Sequence, residues 1–156
     1  VYGGDVPDSV TIEMAKDIID AADRYEVTGL KLAVETTLVE ALMLNDSNFS
    51  DWLLYADAKT LPLLKEQAMN YFASRAADLV KSDYTEKLRE SPKIMDEMMI
   101  VMSSSNVVDS RFHNTGVNMT VNELRKKLDK EGLDVDGSKE ALVSRLQEAN
   151  KRQRTE

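Results

Sequence analysis

The stretch from Ile12 to Ala41, IEMAKDIIDAADRYEVTGLKLAVETTLVEA, constrains the fold more than any other part of the chain. Ala15, Ile18, Ile19, Ala22 and Tyr25 recur at three- and four-residue steps, and Leu30, Ala33, Val34, Thr37, Leu38, Ala41 and Leu42 do the same. That period gathers each set on one face of a helix, and such a face is stable only when covered. Glu26-Val27-Thr28-Gly29 interrupts the pattern with a short polar connection in which Thr28 can act as a cap. Short connections join antiparallel neighbours, so the stretch predicts a helical hairpin.

The hairpin has an echo. Ala22-Asp23 and Leu30-Lys31 return 34 residues later as Ala56-Asp57 and Leu64-Lys65. Ser47–Ala73 therefore predicts a second hairpin of the same design. A repeat of that length invites a tetratricopeptide reading, but the Trp, Gly and Tyr signature is missing and two copies are fewer than a solenoid usually needs.

Asn45-Asp46-Ser47-Asn48 is a run of turn and capping residues before a helix that buries Phe49, Trp52, Leu53 and Ala56. Pro62 suits the first position of the next helix, where its missing donor costs nothing. A weaker segment, Asp83–Glu90, carries Tyr84 and Leu88. Ser91-Pro92 then opens a further helix along which Met95, Met98, Met99 and Met102 share one side. Such a stripe fills gaps in a core or forms an adaptable binding surface, and the core is the expectation. Ser103 to Asn118 has no helical period and reads as a linker. The one histidine, His113, lies there with no partner for a metal or a proton relay.

Thr120-x-x-Glu123 is a capping box ahead of Val121, Leu124 and Leu128. Gly132 ends that helix as a left-handed cap, and Leu133 and Val135 point inward from a short extended stretch. Gly137 turns the chain, Ser138 caps, and Leu142, Val143, Leu146 and Ala149 form a second apolar face. A unit of this size has a marginal core by itself.

Charge divides unevenly. Residues 119–156 carry nine Lys and Arg against eight Asp and Glu, a net +1, whereas residues 1–118 carry a net −9. The acidic part is a poor surface for nucleic acid, and the C-terminal part is not repelled in the same way. With no cysteine there is neither a disulfide framework nor a thiolate metal site, and no apolar run approaches bilayer length. An intracellular protein is expected. Nothing points to catalysis, a cofactor or a metal: there is no Gly-rich phosphate loop, the adjacent Asp96 and Glu97 diverge on a helix, and no His has partners. The opening Val1-Tyr2-Gly3-Gly4 lacks an initiator Met and reads as a fragment or an incomplete gene model.

Two families come into view on these residues. Met119–Asn150 resembles the SAP domain, a helix-extended-helix nucleic-acid binder, through Val121, Leu124, Leu128, Gly132-Leu133, Val135, Gly137, Lys139, Leu142, Arg145 and Leu146. Residues 1–102 resemble the end of a BTB/POZ domain of the MATH-BTB type and the helices behind it. Tyr2-Gly3-Gly4 matches a Tyr-x-Gly turn, Ala21-Ala22-Asp23-Arg24-Tyr25 an Ala-Ala-Asp-x-Tyr helix, and Leu54-Tyr55-Ala56-Asp57 with Leu64-Lys65-x-x-Ala68 the following pair. The strands and early helices that begin a BTB domain are absent, so this chain is not expected to form the BTB dimer, and its first hairpin should expose apolar surface.

The resemblances imply an all-α organisation. Residues 1–45 would be the C-terminal part of the BTB/POZ domain, 46–102 a helical extension of the BACK or 3-box kind, 103–118 a linker, 119–150 the SAP domain and 151–156 a basic tail. They imply a substrate adaptor of a cullin-type ubiquitin ligase, with Tyr2 matching a residue that touches the cullin. Carried over by position, the contacts to DNA or RNA would be Gly137, Ser138 and Lys139, supported by Lys126, Lys127 and Arg145. Free amides at a helix start beside a lysine suit a phosphate. Asp134 and Asp136 oppose binding, and the competing reading makes Lys126, Lys127 and Lys130 the solvated face of their helix. Weak binding is the expectation because basic residues and an open helix start coincide. The basic Lys151-Arg152-x-Arg154 is too short to carry binding or nuclear import alone. The nucleus fits this reading better than the cytoplasm, and neither a membrane nor a small-molecule substrate is implied. The alternative is a helical protein-interaction scaffold whose SAP-like module does not bind nucleic acid.

Overall fold

The computed structural model describes residues 12–104 and 119–154, and among them it is all-α. Tyr2, His113 and most of the predicted linker lie outside the described residues, as does Thr11, whose position before Ile12 suits a cap for the first helix. Contacts divide the chain into two units, Val1–Met43 and Leu44–Glu156.

The first unit is the predicted hairpin, α1 (Ile12–Arg24) and α2 (Thr28–Ala41). Glu26 makes the turn in a left-handed conformation (φ +56°), which lets the Val27 amide reach back to the Ala22 carbonyl at 2.8 Å. Ala15, Ile19 and Ala22 are buried on α1 as expected.

The face of α2 keeps Val34, Leu38 and Leu42 of the predicted set but differs at its other positions. The buried residues are Lys31, Val34, Glu35 and Leu38, whereas Leu30, Ala33 and Ala41 are exposed, as is Tyr25 in the turn. The helix is rolled by about one residue. Lys31 lays its apolar stem inward and carries its ammonium to the Asp23 carboxylate at 2.7 Å, so a charged residue occupies a core position that hydropathy alone assigns to Leu30. Nor does Thr28 cap α2: Val27 holds the cap position and no side chain bonds there. Ile12, Met14, Tyr25, Val27, Leu30 and Met43 leave this unit with much exposed apolar surface.

The second unit begins with α3 (Phe49–Ala58) and α4 (Pro62–Leu79). Asn45 opens it, its side-chain carbonyl accepting from the Ser47 and Asn48 amides at 3.0 Å each. Pro62 stands at the start of α4, and Thr60 repeats the Glu26 turn with φ +53°. A 3-10 helix, Asp83–Glu90, and α5 (Pro92–Ser104) pack onto this pair. Phe49, Leu53, Ala68, Met69, Phe72, Leu79, Leu88, Ile94 and Met98 form one core. Phe49 and Phe72 stack with centroids 6.2 Å apart, and Tyr71 closes the edge by donating its hydroxyl to Asp46 at 2.6 Å.

Two expectations are corrected here. The methionine stripe is split, with Met98 buried and Met95 half-buried against the core while Met99 and Met102 face out, because Ile94 takes the inward position one turn before Met98. Tyr84 is exposed, and Thr85 and Leu88 are the buried residues of its short helix.

The C-terminal module belongs to the second unit. It consists of α6 (Val121–Lys130) and α7 (Lys139–Arg154), closed around Val121, Leu124, Leu128, Leu142 and Leu146. The capping box is complete: Thr120 accepts from the Glu123 amide at 3.3 Å and Glu123 accepts from the Thr120 amide at 2.8 Å. Gly132 adopts the left-handed cap (φ +67°), and the Leu133 amide returns to the Leu128 carbonyl at 2.9 Å. α7 runs on through Lys151-Arg152, so the basic residues continue the helix.

Candidate nucleic-acid interface

The residues with the right chemistry for a phosphate backbone meet where α7 begins. Gly137 turns the chain at φ +113°, a conformation closed to most side chains, and a Cβ there would press on Ala141 at 3.4 Å. Ser138 follows as the cap, its hydroxyl accepting from the Ala141 amide at 3.3 Å. Lys139 and Glu140 are the first residues of the helix.

The start of α7 is partly occupied, since Ser138 takes the Ala141 amide and Glu140 adds an acid to the first turn. Burial by itself would raise the Glu140 carboxyl. A hydrogen bond from its own amide, another from the Ser138 hydroxyl and the charges of Lys65 and Lys93 outweigh that and hold it below the ordinary value. Glu140 is thus an acid in the first turn of α7, where the helix dipole favours one.

Lys139 is engaged as well. Its ammonium lies 2.8 Å from the Glu66 carboxylate of α4, a half-buried pair rather than a solvated one. Glu66 also accepts from the amide of Val121, the first residue of α6, at 3.1 and 3.3 Å. One carboxylate from the helical body therefore ties together the starts of both helices of the module.

Arg145 is turned back onto the loop. Its guanidinium donates to the carbonyls of Asp136 and, at 3.3 Å, Asp134, and stands 3.6 Å from the Asp134 carboxylate. Its position two turns into α7 lets it brace the extended stretch from above. The same geometry explains Asp134 and Asp136: they hold Arg145 by main-chain and side-chain oxygens.

Lys126 and Lys127 lie on the exposed side of α6, away from the buried Leu124 and Leu128. Residues 117–151 match the family model described as the SAP domain. The C-terminal module is a SAP domain. Its helix starts, capping box and positive-φ glycines are therefore parts of a SAP fold.

The chain is also similar to TD and POZ domain-containing proteins of Mus musculus. Protein 2 is 30% identical over 109 residues, 69% of this chain and 29% of that protein. Protein 3 is 27% identical over 106 residues, 67% of this chain and 28% of that protein. Protein 5 is 30% identical over 91 residues, 58% of this chain and 26% of that protein. The chain spans less than a third of the length of the curated relatives it matches.

Among the six SAP residues predicted to contact nucleic acid, the fold brings Gly137, Ser138, Lys139 and Arg145 to one loop and leaves Lys126 and Lys127 on the neighbouring helix. Tyr2, the predicted cullin contact, lies outside the described residues. Sequence reasoning missed Glu66. It sits near the start of α4, half-buried between Leu64 and Ala68, and no local pattern marks it as a partner for a lysine 73 positions away. Among the described residues no cluster of potential metal ligands forms, and no helix is long and apolar enough to cross a membrane.

Proposed function

We propose that this chain is part of a non-enzymatic adaptor. Its BTB-derived helices contact protein, and its SAP domain holds nucleic acid weakly. The observation that carries this reading is the presence, in one chain, of a SAP domain and similarity to POZ-containing proteins. Lys126 and Lys127 on α6 and Lys139 at the start of α7 supply the positive charge, and the phosphate backbone is the natural ligand. With about three or four phosphate contacts, each adds roughly 0.9 to the salt slope, and affinity falls in the weak non-specific range of about 10⁻⁴–10⁻⁶ M.

The protein partner we assign is the cullin scaffold of a ubiquitin ligase, with Tyr2 at the contact. The nucleus is the compartment this reading requires. By this reading residues 46–102 are the helical extension behind the BTB core, and a pull-down of the longer protein with and without Tyr2→Ala tests the cullin contact.

Fluorescence anisotropy with labelled AT-rich duplex DNA, at low and physiological salt, tests the SAP half. Binding should weaken with salt and be lost in Lys139→Glu. A second reading, a helical interaction scaffold whose SAP domain is silent, is favoured by the pairing of Lys139 with Glu66. No binding even at low salt in any variant would establish it.

A further inference from the structure

The Glu66–Lys139 contact has the chemistry of a competitor. A glutamate carboxylate offers two anionic oxygens, and a phosphodiester offers two as well. In this structure the Glu66 oxygens take the two donors that the helix starts of the SAP domain present on this side, the Val121 amide and the Lys139 ammonium. The side chains of Glu66 and Lys139 are only 16% and 37% exposed, so water screens the pair less than it would a surface pair.

The surroundings support the same role. The contact lies at the edge of a cleft of about 350 Å³ between the end of α3, α4, α5 and the start of α7. Within it Lys65 is already held by Asp57 and Glu97 at 2.6 Å each, and Lys93 by Asp57 at 3.3 Å. Neither lysine is spare to neutralise Glu66, which leaves Lys139 as its ion-pair partner among the described residues. On the SAP side, the Ser138 hydroxyl already takes the Ala141 amide at the start of α7.

We propose that Glu66 is a built-in competitor of nucleic-acid phosphate: it docks the SAP domain on α4 and masks Lys139, so that binding requires the contact to open. This rests on the reading of Lys139 as a phosphate contact. It adds a regulatory link between the helical body and the SAP domain, and anything that draws Glu66 away, including a partner seated on α4, raises affinity for nucleic acid. By reciprocity, bound nucleic acid loosens the SAP domain from α4.

The test uses the full chain and the same labelled duplex. Glu66→Gln keeps the shape and the acceptor for Val121 but removes the ion pair. Glu90→Gln removes one negative charge from an exposed site away from the contact and serves as the control. Glu66→Gln should tighten binding by roughly fivefold or more, the lower end of usual coupling between sites, and Glu90→Gln should change it far less. Adding Lys139→Glu to Glu66→Gln should abolish the gain. Melting curves of each variant establish that it is folded.

Wild-type binding that depends on Lys139 but is unmoved by Glu66→Gln would overturn the competition and leave the nucleic-acid reading standing. Equal gains in Glu66→Gln and Glu90→Gln would also overturn it, since net charge alone would account for both. If neither wild type nor Glu66→Gln binds at low salt, the nucleic-acid reading fails and the competitor role fails with it.

Discussion

Glu26 and Thr60, 34 residues apart, hold the same left-handed backbone at φ +56° and +53°, and neither is glycine. Each stands at the turn of a helical hairpin. The amide that follows each reaches the carbonyl five residues back, Val27 to Ala22 at 2.8 Å and Leu61 to Ala56 at 2.9 Å. Each hairpin also carries an Asp–Lys pair eight residues apart, Asp23–Lys31 and Asp57–Lys65. The repeated letters of the sequence are thus a repeated turn.

Thr60 pays more strain for this turn than Glu26, because a β-branched side chain is the poorest fit to positive φ. Left-handed backbone costs an L-residue roughly 1–2 kcal/mol, and asparagine tolerates it better. Thr60→Asn should therefore stabilise the second unit by about 0.5–1 kcal/mol. Urea melts followed by Trp52, the single tryptophan and a buried one, would read this, and a loss of stability would refute the assignment of strain.

The two Asp–Lys pairs should differ in what they contribute. Lys65 lies 2.6 Å from both Asp57 and Glu97, whose side chains are 25% and 23% exposed. Lys65→Met would leave two poorly hydrated carboxylates with only the more exposed Lys93, 3.3 Å from Asp57 and 3.9 Å from Glu97, to answer them. The cost for fully buried pairs is about 3–5 kcal/mol, and partial exposure reduces it to roughly 2 kcal/mol. Asp23 is 47% exposed and stays hydrated when its partner goes, so Lys31→Met should cost only about 0.5 kcal/mol. Equal losses in the two variants, compared by denaturant melts, would contradict this ranking.

The same cluster sets a pH dependence. Burial by itself would raise the Asp57 carboxyl, but the hydrogen bond and charge of Lys65, with Lys93 beside them, hold it below its ordinary value. Burial would lower Lys65, but Asp57 and Glu97 hold it above its ordinary value. The Asp57 contribution is complete above its unfolded value of about 3.9 and is lost as pH falls through the lower folded value. The Lys65 contribution is complete below about 10.4 and is lost as pH rises through the higher folded value. Stability from this cluster should be flat between about pH 5 and 9 and fall on both sides. In Lys65→Met the deficit relative to wild type should shrink on acidification, since protonation removes the charges that lost Lys65. A deficit that grows toward low pH would refute the account.

Much of this was legible from spacing. Helix positions, the turn at Gly132, the capping box of Thr120 and Glu123 and the echo of the first hairpin all rest on residues within a few positions of one another. The roll of α2 was not legible, because the apolar pattern alone favours Leu30 over Lys31. Only the reach of Lys31 to Asp23 shows why the charged residue goes inward. The donors at the start of α7 read as free for a similar reason. Ser138 and Glu140 are visible as a cap and a first-turn acid, but not their combined hold on the helix start.

By itself, then, the sequence determined the helices, their caps and the SAP pattern, because hydrogen bonding and 3.6-residue periodicity act over one or two turns. The tertiary structure alone decided which charges meet. Any of 28 acidic residues could have answered Lys139, and the packing of α4 against α6 chose Glu66. Ion pairing is set by distance in space, and the 73 residues between Glu66 and Lys139 carry no local signal of that distance.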